Sequence, residues 1–222
     1  LHLSIRRQRQ MCIRDSRAPG KGNAKLVGIP TVFATHARFK GGLNYLETLI
    51  AETDQFTVLV VGKVPGPLGG TSTPTAAPYV GNYAGQSNSS LGGGGMCMYH
   101  QTDATLGGQA WRVNADGTGT TSSQANMADV PTNWALRALR CSGAAGTKVM
   151  NLTTGGSSNQ SLATQRVTSS SPLRIGGVYG STFLGETDIS HVAIYSAALT
   201  DDEITQVAAV MKKRMARLGI AV

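Results

Sequence analysis

Few side chains in this sequence are spaced for catalysis. The four histidines, His2, His36, His100 and His191, stand apart from one another. They form no i, i+4 pair and have no carboxylate cluster beside them, so a zinc site is not expected. Serine is abundant, but no G-x-S-x-G turn presents one as a nucleophile. Leu91-Gly-Gly-Gly-Gly95 lacks the lysine of a phosphate-binding loop and leads into a strand pattern, so it reads as a flexible turn. Cys12, Cys97 and Cys141 are odd in number and show no C-x-x-C spacing, which argues against a disulfide framework and against zinc. Cys97 and Cys141 read as small buried hydrophobes, with a bridge between them left open.

Two constellations could hold a ligand. Asp103, Asn114, Asp116 and Asp188 offer loop or strand-end oxygens of the kind calcium takes, although the chain has only 12 acids and no D-x-D run. Tyr79, Tyr83, Tyr99 and Trp111 lie near loops, where an aromatic face can stack on a sugar ring while polar neighbours orient it. Each has a rival role in the core, and for Trp134 the core is the expected place.

These residues must be positioned by strands. Phe56–Lys63 is β-branched and nearly all apolar, the pattern of a central strand buried on both faces. Tyr79–Tyr83, Met96–His100, Gln109–Asn114, Pro172–Val178 and Thr182–Tyr195 read as further strands. In Asn133–Cys141, Trp134, Leu136 and Ala138 share one face while Arg137 and Leu139 share the other. That strand should form a hairpin with Lys148–Thr153. Residues 64–78 hold four prolines and three glycines and cannot sustain a ladder. Leu46–Glu52 suggests a short helical turn, Thr118–Val130 a polar loop and Gly155–Asn159 a turn. Eight to twelve strands in total suit an all-β sandwich.

The C-terminal helix is the clearest local signal. Thr200-Asp-Asp-Glu203 fits a capping box, and Ile204, Val207, Ala208, Met211, Met215 and Leu218 form one apolar stripe. The helix should span about 200–218, end at Gly219 and lie against the sandwich. Residues 1–16 are unlike the rest. They are basic, and the run RRQRQMCIRDS resembles translated sequencing-adapter read-through from a metagenomic assembly, with a disordered arm as the other reading. The native start, with any signal peptide, is then expected to be missing. The expected domain is 17–222.

The 222-residue length suits one such domain, and 41% apolar content with 14% charge can support a core. The net charge of +8 does not point to nucleic acid. Arg6, Arg7, Arg9 and Arg14 fall in the N-terminal run, and Lys212, Lys213, Arg214 and Arg217 complement the end of the helix dipole. No aromatic residues interleave with the remaining cations as a stacking platform would need. No run of 18 apolar residues suggests a membrane span.

The stretch Leu173-Arg-Ile-Gly-Gly177, Phe183-Leu-Gly185, Ile189-Ser-His-Val192-Ala-Ile194-Tyr195 and Leu199-Thr200-Asp-Asp-Glu203-Ile204 resembles the end of the concanavalin A-like lectin/glucanase superfamily, laminin-G-like jelly rolls in particular. Phe56–Lys63 is similar to that family's early central strand. The resemblance implies an antiparallel two-sheet jelly roll with Phe183, Val192 and Ile194 in its core and a bend at Gly185. Some relatives hydrolyse β-glucans with an E-x-D-x-E strand. Here Glu186-Thr-Asp188 begins that pattern, but Ile189, Ser190 and His191 follow and the second glutamate is absent. The expectation is therefore a lectin-like module without catalysis, which binds a glycan or a protein surface. Its Gly/Ser-rich style points to a phage virion or an extracellular setting. The alternatives are a purely structural jelly roll of a virion or extracellular assembly and, more distantly, a glycoside hydrolase.

Overall fold

The computed structural model describes residues 22–68, 75–143 and 145–222. The N-terminal run 1–16 lies outside them. In chain order the described residues form β1 (Lys25–Val27), β2 (Thr31–Val32), β3 (Ala37–Lys40), β4 (Tyr45–Glu47), β5 (Phe56–Lys63), β6 (Ala77–Gly81) and β7 (Met96–Thr102). Then follow β8 (Thr105–Val113), β9 (Thr120–Ala128), β10 (Ala135–Ser142), β11 (Gly146–Asn151), β12 (Gly156–Gln160), β13 (Arg174–Ile175), β14 (Glu186–Tyr195) and the helix α1 (Asp201–Arg217).

The strands build two seven-stranded sheets, and every named pair is antiparallel. The front sheet runs β1-β4-β13-β6-β7-β8-β9, and the back sheet runs β12-β11-β10-β5-β14-β3-β2. This is the expected jelly-roll sandwich. Alternation along β5 shows why its sequence is almost entirely apolar. Val58 and Val60 enter the core between the sheets with Met96, Met98, Leu106 and Leu139, whereas Leu59 and Val61 face the other way. There they join Leu136, Ala138 and the stripe of α1, so β5 lies between the front sheet and the helix.

The helix forms as its sequence dictates. Thr200 accepts from the Glu203 amide, Glu203 accepts from the Thr200 amide, and three acids occupy the positive first turn. At the other end Gly219 and Ile220 donate to the carbonyls of Ala216 and Met215, closing a Schellman motif. A 17-residue helix is marginal alone, so burial of Ile204, Ala208, Met211 and Met215 on the back sheet supplies most of its stability. Each of the larger three contributes roughly 1.5–3 kcal/mol.

Three local expectations are corrected. Leu46–Glu52 is no helical turn: β4 occupies its start, with Leu46 in the inter-sheet core. Gly155–Asn159 mostly becomes β12, paired with β11 from Gly156 to Gln160. Thr118–Val130 contains the nine-residue strand β9, in unbroken register with β8 from Thr105↔Ala128 to Val113↔Thr120. Its inward residues, Ser123, Ala125 and Met127, are small or set at the sheet edge, so no apolar run announces it. Cys97 and Cys141 are free thiols in different sheets, and burial raises the pKa of both. Phe183 is buried, and Val192 and Ile194 pack against the inter-sheet core.

Candidate functional site

The outward face of β7, β8 and β9 brings aromatic, amide and hydroxyl side chains together. The even-numbered residues of β8 point inward: Leu106 and Ala110 are core, and a Cβ on Gly108 would lie 2.5 Å from Leu139. The odd-numbered residues Gly107, Gln109 and Trp111 therefore face out. Their cross-strand partners on β9 are Asn126, Gln124 and Ser122, and those on β7 are Tyr99 for Gly107 and Cys97 for Gln109.

Four rings are linked along this face. Trp111 stacks with Tyr83 at 6.1 Å between centroids and 23° between planes. Phe183 meets Tyr83 and Tyr99 edge-on at 5.5 and 4.9 Å. Such pairs add about 0.5–1.5 kcal/mol each beyond burial, which favours a fixed arrangement over loose rings. The ring of Tyr99 lies over Gly107, where a Cβ would come within 2.8 Å of it. Its hydroxyl accepts from Gln124 Nε2 at 2.6 Å. Burial raises the pKa of Tyr83 and Tyr99, so both phenols stay neutral. Ser122 Oγ donates to Gln109 Oε1 at 3.1 Å, while the Nε2 of the almost fully buried Gln109 has no partner.

The glycine run beside this face is more than a loose turn. Gly92 to Gly95 all have positive φ, and a Cβ on Gly93 would lie 2.6 Å from the Trp111 ring. The loop backbone thus packs against the indole, a fit open only to glycine. Beneath, Arg166 donates to the Trp111 carbonyl at 2.8 Å and pairs with buried Glu52. Glu52 also accepts from Asn82, the residue before Tyr83, at 3.1 Å and from the Ser169 amide at 3.0 Å. One buried carboxylate therefore ties together the segments that carry both stacked rings.

Of the aromatic residues singled out in the sequence, Tyr83 and Trp111 are half-buried on this face. Tyr99 contributes its hydroxyl contact but is 4% exposed beneath Phe183. Tyr79 does not belong to the face. It is fully buried between the sheets with its hydroxyl 2.9 Å from His100 Nδ1, and burial pushes its pKa to about 12. Trp134 packs partly on the helix-side cluster and meets His36 edge-on at 5.1 Å. Sequence reasoning missed Gln109, Ser122, Gln124 and Asn126. The signal was the period of two in Ser122-Ser-Gln124-Ala-Asn126-Met.

The four oxygen ligands are not brought together. Asp103 and Asp116 lie in turns at opposite ends of β8, whose nine residues span roughly 30 Å. Asp103 accepts from the Leu68 amide, and Asp116 accepts from the amide and hydroxyl of Thr118, which lower its pKa. The Asn114 amide donates to the Gly119 carbonyl in the same turn. Asp188 is buried in the back sheet and takes two bonds from Arg38 at 2.8 and 3.0 Å. Glu186 lies 3.8 Å from Lys40, so both acids of the Glu186-Thr-Asp188 run are engaged by β3. Among the described residues no three His, Cys, Asp or Glu side chains cluster as a metal site.

No family model matches the chain, and no curated protein does. Solved structures do match its fold. One is the binding domain of botulinum neurotoxin serotype G, with a TM-score of 0.59 and 11% identity over 88% of this chain and 48% of that one. A second is the receptor binding domain of botulinum neurotoxin D, at 0.57 and 11% over 89% and 51%. The binding domain of botulinum neurotoxin DC in complex with SialylT matches at 0.57 and 9% over 83% and 46%. The chain thus spans about half the length of these domains. At such identities the likeness is one of fold.

Proposed function

We propose that this chain is a non-catalytic, lectin-like recognition module of the concanavalin A-like type, which binds carbohydrate on the outward face of β7, β8 and β9. The observation that carries the reading is the stacked Tyr83–Trp111 pair beside a row of hydroxyl and amide side chains, Ser122, Gln124 and Asn126. Aromatic faces take the apolar side of a sugar ring, and amides and hydroxyls match its hydroxyl groups. The fold likeness to binding domains supports the reading, as does the pairing of Glu186 and Asp188 with lysine and arginine rather than with each other. A virion or another extracellular assembly is the setting that suits such a module.

A glycan array probed with labelled protein tests this directly. A defined set of saccharides should bind, and Trp111→Ala should weaken that binding at least tenfold, roughly 1.4 kcal/mol. Retention of full binding by a folded Trp111→Ala protein would refute the site. A second reading, a structural jelly roll in an assembly, draws on the exposed side chains of Ile29 and Leu43, 93% and 65% accessible. An empty array together with concentration-dependent self-assembly would favour it.

A further inference from the structure

We infer that the face selects uncharged saccharides and discriminates against sialylated, sulfated and uronic-acid glycans, an inference that rests on the reading above. The chain carries a net +8, yet none of that charge reaches the outward positions of β7, β8 and β9. Those positions hold aromatic, amide, hydroxyl and small side chains, with the aliphatic Val113 at the end of β8, and none is charged. Two arginines lie close by; both are buried and their terminal nitrogens are engaged, although the Nε of each has no partner. Arg112 points inward and donates to the carbonyls of Thr164 and Ser142. Arg166 is held by Glu52 and the Trp111 carbonyl.

An ionised sugar bound here would lose water without gaining a cation, and neutral donors alone compensate that loss poorly. A neutral sugar faces no such loss. Gln109 offers it a specific partner: its Oε1 is held by Ser122, and its Nε2 is buried with no acceptor in the protein. That N–H lies under the surface row of Ser122, Gln124 and Asn126, so a sugar gains it only where the Gln109 side chain turns outward. From the Trp111–Ser122 pair to the Gly107–Asn126 pair the face runs four residues, about 13 Å, longer than one sugar ring. The ligand class is therefore a neutral oligosaccharide.

The experiment is calorimetric or saturation-transfer titration of the intact chain. Matched probes are lactose against sialyllactose, and cellotetraose and chitotetraose against a heparin oligosaccharide. Each is titrated at about 50 and about 500 mM NaCl, which shortens the range of charge interactions roughly threefold. At least one neutral probe should bind at least tenfold more tightly than its anionic counterpart, with affinity unchanged by salt. Asn126→Lys, at an exposed position, should narrow that gap and introduce salt dependence. Tighter, salt-sensitive binding of the anionic probes, abolished by Trp111→Ala, would overturn the inference while leaving the site in place. No binding of any saccharide would overturn both.

Discussion

His100 is fully buried between the sheets, with the Tyr79 hydroxyl on Nδ1 and Asp129 at 3.1 Å from Nε2. The carboxylate accepts, so Nε2 carries the proton and Nδ1 accepts from the tyrosine. Arg137, also buried, donates to the same carboxylate at 2.5 Å and to the Gly62 carbonyl at 2.6 Å. Burial holds the His100 pKa down to about 4, and the hydrogen bonds and charges of His100 and Arg137 hold Asp129 at about 2 against the desolvation that would raise it. Both folded values lie below the unfolded ones, so each group's stabilisation is complete above its unfolded pKa and is lost as pH falls. For His100 the window runs from 6.5 down to about 4, and for Asp129 from 3.8 down to about 2. Urea denaturation across a pH series should show a loss on the order of 3 kcal/mol between neutrality and pH 4. In His100→Gln that portion of the profile should flatten, and a parent profile level over the same range would refute the assignment. The Glu52–Arg166 pair makes a second prediction. Glu52→Gln leaves a buried guanidinium without its counter-charge and should cost about 3–5 kcal/mol. It should also weaken saccharide binding, since Arg166 backs the Trp111 carbonyl. Denaturation and titration of the same variant check both halves.

At the scale of elements, the helix and the strand beneath it depend on different forces. Thr200→Ala removes one cap and should cost about 1 kcal/mol. Met215→Ala opens a cavity where the helix meets the back sheet and should cost about 2–5 kcal/mol. Thermal melts that reversed this order would show that local propensity, not packing, holds α1. The helix was legible in the sequence because its cap, its stripe and its stop all lie within twenty residues. β5 was legible because helix and front sheet cover its two faces, leaving Thr57 as the one polar residue before Lys63. β9 was not legible. One of its faces is solvated and the other meets the core with Ser123 and Ala125, so its strand character comes from pairing with β8. The proposed binding face shares that history. Trp111 and Tyr83 stand out by residue type, whereas Ser122, Gln124 and Asn126 gain meaning only from register. Tyr79 and Tyr83, four residues apart in sequence, part company at the bulge between Pro78 and Val80, one inside the sandwich and one at its surface.

For the whole molecule, the question is how two large sheets avoid bare edges. On one side the chain crosses from β1 at the edge of the front sheet to β2 at the edge of the back sheet, through Gly28 to Pro30. On the other side β9 and β12 meet. Gly156 of β12 sits against Met127 of β9, and the hydroxyls of Ser123 and Thr147 lie 3.1 Å apart between the sheets. A chain beginning at Thr31 lacks β1 and leaves β4 as an open edge. It should self-associate, and sedimentation showing a monomer at all concentrations would count against this role for β1. The helix adds a polarity to the sandwich. It ends on the back sheet, and Val222 packs against the same helix-side cluster. Trp111 and its neighbours look out from the opposite side. A copy tethered through its C-terminus would therefore turn its aromatic platform away from the tether. Copies gathered on a common stalk or bead would all present theirs to the surroundings, where weak single contacts multiply into avidity.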